Sequence, residues 1–168
     1  MKMSNEMTAE QMMEYLYGLP EQFASSLELD LALASRYKKD YRNVVVSGMG
    51  GSAIGGDILR VYAAKKAMVP VLVVRDYNIP AFVDQYSLFL AVSYSGNTEE
   101  TLSAYSQARE QGASIICVTT GGKLKAMAKE DGYAVVEIPA GLVPRAATGY
   151  LFAPLALLLN ELGIVEGV

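Results

Sequence analysis

The residues best suited to chemistry lie together in Ser93-Tyr94-Ser95-Gly96-Asn97-Thr98-Glu99-Glu100-Thr101. An apolar run, 88–92, precedes them and reads as a buried strand. A helical stretch, 98–110, follows. Three hydroxyls, a glycine and a helix start therefore share one short loop. A helix N-terminus offers unpaired backbone N–H groups and the positive end of a dipole, which suits a phosphate. Ser93, Ser95 and Thr98 can each donate one more hydrogen bond to the same anion. Gly96 lets the backbone approach closely or take positive φ. The structural alternative is that Asn97 caps a helix and the serines fill a turn.

A second glycine-rich loop, Gly48-Met49-Gly50-Gly51-Ser52-Ala53-Ile54-Gly55-Gly56-Asp57, follows the β-branched run 44–46. Gly48, Gly50 and Ala53 match the dinucleotide pattern G-x-G-x-x-A, and Asp76 follows the next strand, about where a ribose-binding acid would lie. A nicotinamide or flavin site is thus a rival reading. The second phosphate-type loop is no part of that pattern and favours a smaller phosphorylated ligand held between two loops. No G-x-x-x-x-G-K-[ST] occurs. A third segment, Pro144-Arg145-Ala146-Ala147-Thr148-Gly149-Tyr150, sets an arginine just before a helix, where it can meet an anion or a developing negative charge. Solvent exposure or helix packing is the alternative for Arg145. Thr148 is a candidate cap.

The elements that position these loops alternate. Strands are expected at 44–46, 71–74, 88–92, 114–118 and 133–138, and helices at 52–65, 98–110, 124–129 and 149–162. Uniformly apolar strands separated by helices imply a parallel sheet covered on both faces. In such folds ligands sit beyond the carboxyl ends of the strands, where the strand order reverses. Both glycine/serine loops fall at carboxyl ends. Two helices are expected ahead of the sheet. The first, at 8–17, offers Met12, Met13, Leu16 and Tyr17 as apolar contacts and is broken by Leu19-Pro20. The second, at 21–38, carries Phe23, Leu27, Leu31 and Ala34 at helical spacing.

The chain has 168 residues, 52% of them hydrophobic, which suits one domain with a substantial core. Its net charge is −4, and Lys38-Lys39 and Lys65-Lys66 are only pairs. Nucleic-acid binding, which needs a basic footprint, is not expected. The single cysteine, Cys117, lies in an apolar run, so no disulfide forms within the chain. With no histidine either, a metal site is not expected. The first residues lack the apolar core of a signal peptide. The longest apolar stretch, 151–159, holds Pro154 and is too short to span a membrane. A cytoplasmic protein without a cofactor is expected.

The three loop segments, in this order, resemble the N-terminal half of the bifunctional phosphoglucose/phosphomannose isomerases, of the sugar isomerase (SIS) domain superfamily. The resemblance covers most of the chain. It implies a three-layer α/β/α sandwich around a five-stranded parallel sheet of flavodoxin-like type, preceded by N-terminal helices. The helical segment would span 1–40 and the SIS domain 41–168. It further implies binding of glucose, mannose or fructose 6-phosphate and aldose–ketose isomerisation through a cis-enediolate. By that analogy Ser93, Ser95 and Thr98 hold the phosphate, and Gly50, Gly51 and Ser52 line the sugar side. Arg145 is then the catalytic group that stabilises the enediolate.

Family members resemble two SIS domains in tandem, and this chain supplies one. In the family a glutamate base and a ring-opening histidine come from the other half, and neither has a matching position here. Glu99 or Glu100 could serve as a base only from a first helical turn, whose dipole favours a structural carboxylate. The expectation is an excised or truncated domain, weakly active or inactive alone. It would form a homodimer or pair with a second SIS domain. The alternatives are a non-catalytic sugar-phosphate sensor and a dinucleotide-binding oxidoreductase domain.

Overall fold

The computed structural model describes residues 8–167. Five strands, β1 (Asn43–Ser47), β2 (Val71–Val74), β3 (Ser87–Val92), β4 (Ser114–Thr119) and β5 (Ala134–Glu137), form one sheet. All pairings are parallel, and the order is β2-β1-β3-β4-β5. From β1 the chain steps to one side for β2, then returns past β1 to β3 and continues the other way. The reversal falls between β1 and β3. This is the five-stranded sheet expected from the run pattern.

The strand centres are apolar because both faces are covered. Val44, Val46, Leu88, Leu90, Ile116 and Val118 pack on one face with Leu59 and with Leu151, Leu155 and Leu158. Those partners come from α3 (Gly50–Ala63) and α6 (Thr148–Glu161). Val45, Phe89, Ala91, Ile115 and Cys117 pack on the other face with Ala104, Tyr105, Ala108 and Leu124. These belong to α4 (Glu99–Glu110) and α5 (Gly122–Glu130). The alternation of the two sets along each strand is the period of two that a pleated strand imposes. Each fully buried Leu, Ile or Phe contributes about 1.5–3 kcal/mol.

The N-terminal region departs from expectation. Pro20 does not break a helix. It occupies the first turn of α2 (Leu19–Ser26), where a missing N–H costs no bond. The break is Gly18, which closes α1 (Ala9–Tyr17). The expected helix over 21–38 stops at Ser26 and resumes as a 3-10 turn at Ala32–Tyr37. Asp30 starts that turn by accepting from the Ala32 amide at 3.0 Å. The apolar spacing misplaces the buried face. α1 buries none of its own residues, and Leu27 is 72% exposed. The side chains α2 buries are Gln22 and Ser26. They are satisfied there: Gln22 bonds to Ala146 and Gly149, and Ser26 Oγ donates to Gln22 O at 2.6 Å. Among the described residues no helix is long and apolar enough to cross a membrane.

Candidate functional site

The loops after β1 and β3 meet where the strand order reverses. Met49 is extended and α3 starts at Gly50; Thr98 is extended and α4 starts at Glu99. Among the described residues no side chain caps either helix. The first-turn N–H groups of both are therefore open to an external acceptor. Two helix starts of the same polarity lie side by side there.

The second loop folds on its own hydroxyls. Ser93 is buried, and its Oγ lies 2.9 Å from Thr98 Oγ1. The same Oγ accepts from the Gly96 amide at 3.0 Å. The Ser95 hydroxyl accepts from the Asn97 amide at 3.2 Å. Ser95 is exposed and Thr98 half-exposed, so both present to solvent beside the start of α4. Gly96 takes φ 69°, and a Cβ there would run into the Gly121 carbonyl. Only glycine fits, for both reasons. Asn97 does not cap α4. Its Oδ1 accepts from the Lys123 amide at 3.1 Å, in the first turn of α5, and its Nδ2 donates to Ser95 O at 3.1 Å.

The first loop is tied to the second by Ser52, whose Oγ accepts from the Tyr94 amide at 3.2 Å. Ser52 is buried, and its hydroxyl serves the junction of the loops. Gly50 is exposed with φ 52°. Gly51 lies against the third segment: a Cβ there would stand 2.5 Å from Pro144 O and 3.1 Å from Arg145 N. The 3-10 turn Pro144–Ala146 carries Arg145. Arg145 is exposed, and among the described residues its guanidinium has no ion-pair partner. The structure thus brings the three separate loop segments into one neighbourhood. Thr148 is not the cap of α6; that position is Ala147, and Thr148 Oγ1 lies 3.5 Å from Arg145 O.

Two side chains that hold the site were not singled out in the sequence. Gln22 Nε2 donates to Ala146 O at 2.8 Å, and Gln22 Oε1 accepts from Gly149 N at 3.0 Å. This braces the turn beyond Arg145. Tyr94 reaches the same segment from the other side. The available signal for Tyr94 was the presence of one large aromatic among small polar residues; for Gln22 there was none.

Three nearby carboxylates, Asp57, Glu99 and Asp76, have partners. Asp57 pairs with Arg75. Glu99 accepts from the Tyr77 hydroxyl at 3.4 Å, and the Glu100 charge, foremost, pushes the Tyr77 pKa up. Asp76 accepts from Asn78 within its own loop. Among the described residues no group of three or more His, Cys, Asp or Glu could hold a metal ion.

Fold and site together define an open-sheet α/β domain with a cradle of donors at its switch point, of the kind that holds a small anion. A family model for the SIS domain matches residues 39–144, and the chain belongs to that family. It is 52% identical over 158 residues to a bifunctional phosphoglucose/phosphomannose isomerase of Caldicellulosiruptor bescii, covering 94% of this chain and 47% of that protein. A protein of the same description from Aquifex aeolicus is 39% identical over 154 residues, covering 90% of this chain and 46% of its own length. The chain spans about half the length of these relatives. Its fold also matches that of tagatose-6-phosphate ketose/aldose isomerase from Escherichia coli, with a TM-score of 0.73 at 18% identity, over 92% of this chain and 48% of that one.

Proposed function

We propose that the chain is the phosphosugar-binding half of an aldose–ketose isomerase acting on glucose 6-phosphate and mannose 6-phosphate. The observation that carries this is the Ser93–Thr98 hydroxyl pair in a loop tied through Ser52 to the start of α3, whose Gly51 lies against the Pro144–Arg145 backbone. Ser93, Ser95, Thr98 and the first-turn amides of α4 hold the phosphate. Gly50, Gly51 and Ser52 line the sugar. Isomerisation moves a proton between C1 and C2 of the open chain, and charge develops on the enediolate oxygen. Arg145, with no ion-pair partner among the described residues, is suited to take up that charge. The activity for which these relatives are named supports the substrate class.

The base and the group that opens the ring come from outside this chain, from a second SIS domain or a second copy. The apolar exposure supports such a partner. Ile54, Ile58 and Val61 on α3 are exposed, as are Phe23 on α2 and Leu27 just after it. A groove of about 350 Å³ lies among Phe23, Leu27, Tyr62 and Phe152. The reading places the chain in the cytoplasm and assigns it no nucleic-acid partner. Because Glu99 and Glu100 sit in the first turn of α4, whose dipole favours a structural carboxylate, the isolated chain is read as a binder with little turnover.

Calorimetric titration with fructose 6-phosphate, with NAD as comparison, tests the reading. Saturable binding of the sugar phosphate alone is expected. Binding of NAD alone would make Gly48, Gly50 and Asp76 the site instead. Turnover near the median enzyme rate of about 10 per second would refute the incomplete-site reading.

A further inference from the structure

Tyr94 stands between the two serines of the phosphate-type loop, yet its side chain leaves that loop. The ring is 6% exposed. The hydroxyl donates to Pro139 O at 3.0 Å and accepts from the Leu142 amide at 3.0 Å. The backbone of the same residue reaches two other loops. Its amide donates to Ser52 Oγ, and its carbonyl accepts from Thr120 N at 3.1 Å and Thr120 Oγ1 at 2.7 Å. One residue therefore bonds to the β1–α3, β4–α5 and β5–α6 loops at once.

The third of these connections bears on Arg145. Leu142 precedes the arginine by three residues, and the intervening Val143 is the extended residue from which the 3-10 turn starts. The Ala146 amide closes that turn onto Val143 O at 2.9 Å. Fixing the Leu142 amide therefore fixes where the turn begins. Gln22 holds its far end and Gly51 lies against its middle. A phenol is protonated at neutral pH, and burial moves this one's pKa further up, so the hydroxyl keeps its proton for the bond to Pro139 O. A tyrosine that merely filled the core would need only its ring. Both hydrogen-bonding directions of this hydroxyl are spent on the backbone of the arginine loop.

We infer that Tyr94 is a positioning residue whose hydroxyl sets the place of Arg145 relative to the phosphate cradle. Removing the hydroxyl then disturbs recognition of the charge at the sugar end and leaves recognition of the phosphate alone. This rests on the sugar-phosphate reading above.

The test uses the whole chain and the variant Tyr94→Phe, which keeps the ring. Two probes are titrated: inorganic phosphate, and 5-phospho-D-arabinonate, a five-carbon aldonic acid phosphate whose carboxylate carries charge where the enediolate would. The variant is expected to bind phosphate within twofold of the unsubstituted chain and the aldonate about tenfold more weakly. In an Arg145→Ala background the same substitution should cause no further loss of aldonate affinity. Hydrogen exchange at the Leu142 amide should quicken about tenfold, while the amides of Ser93 to Thr98 exchange unchanged. Equal loss of both probes, a loss that persists without Arg145, or unchanged exchange at Leu142 would each overturn the assignment. If the unsubstituted chain binds neither probe, the sugar-phosphate reading itself fails and takes this assignment with it. The assignment fails alone when the unsubstituted chain binds both probes and Tyr94→Phe does not separate them.

Discussion

Ser93 and Thr98 hold their hydroxyl oxygens 2.9 Å apart across a loop that turns through Gly96. The bond arranges the second hydroxyl before any ligand arrives. Each hydroxyl carries one proton, so the mutual bond leaves one of the pair free to donate outward, and a donor already held in place binds an anion with less ordering cost than a free rotor. Ser93 is buried and Ser95 exposed, so Ser93 also shapes the loop from within while Ser95 faces solvent.

The double variant Ser95→Ala, Thr98→Val should therefore weaken fructose 6-phosphate binding by at least about tenfold, since each hydrogen bond to a charged group contributes about 1.5–3 kcal/mol. Its melting temperature should stay within a few degrees of the unsubstituted chain. Unchanged affinity by calorimetry would reduce the loop to a helix start without a ligand.

Gly51→Ala should act at a distance from the phosphate. The added Cβ would meet Pro144 O at 2.5 Å, and backbone on both sides leaves little to yield. Overpacking of this kind costs about 1–3 kcal/mol. The thermal midpoint should drop by several degrees. Sugar-phosphate affinity should fall with the displacement of Arg145. An unaltered midpoint would show that the two loops separate freely.

Acid stability should depend on Asp131. The Tyr105 hydroxyl donates to its carboxylate at 2.7 Å, and Arg109 bonds to both of its oxygens at 2.9 Å. The Tyr105 bond first, and Arg109 with it, hold the Asp131 pKa below the ordinary carboxylate value. A depressed folded-state pKa contributes stability that is present above the unfolded value, about 3.9, and lost as pH falls through the folded one. Asp131→Asn should thus melt lower than the parent near neutrality. The gap should narrow below about pH 4. A gap constant across that range would remove the charge from the account.

Self-association should follow from the exposed apolar face. Val61 is 68% exposed and Leu27 72% exposed. Sedimentation of the chain should show a dimer at high concentration, and charged replacements at Val61 and Leu27 should shift it to monomer. A chain that sediments as a monomer throughout would count against a partner on this face.

The strands were legible because burial on both faces leaves no polar alternation: Val44-Val45-Val46 and Leu88–Val92 can only be covered runs. The two donor loops were legible because glycine and hydroxyl residues crowd where a strand gives way to a helix. The N-terminal helices were misread for a related reason. Phe23 and Leu27 have core-like spacing and yet are exposed, while Gln22, polar and unremarkable in sequence, is 4% exposed.

By itself, then, the sequence determined the alternation of strands and helices around the sheet and where glycines and hydroxyls crowd, since backbone propensity and the presence of donors are properties of neighbouring residues. Only the tertiary structure decided which groups stand together. Tyr94 and Leu142 are 48 residues apart, and Gln22 and Ala146 are 124 apart. The order β2-β1-β3 puts the two donor loops side by side, and the contact of Gly51 with Pro144 brings the third to them from beyond the edge strand β5. A hydrogen bond depends on distance and angle in space, and spacing along the chain carries neither across such separations.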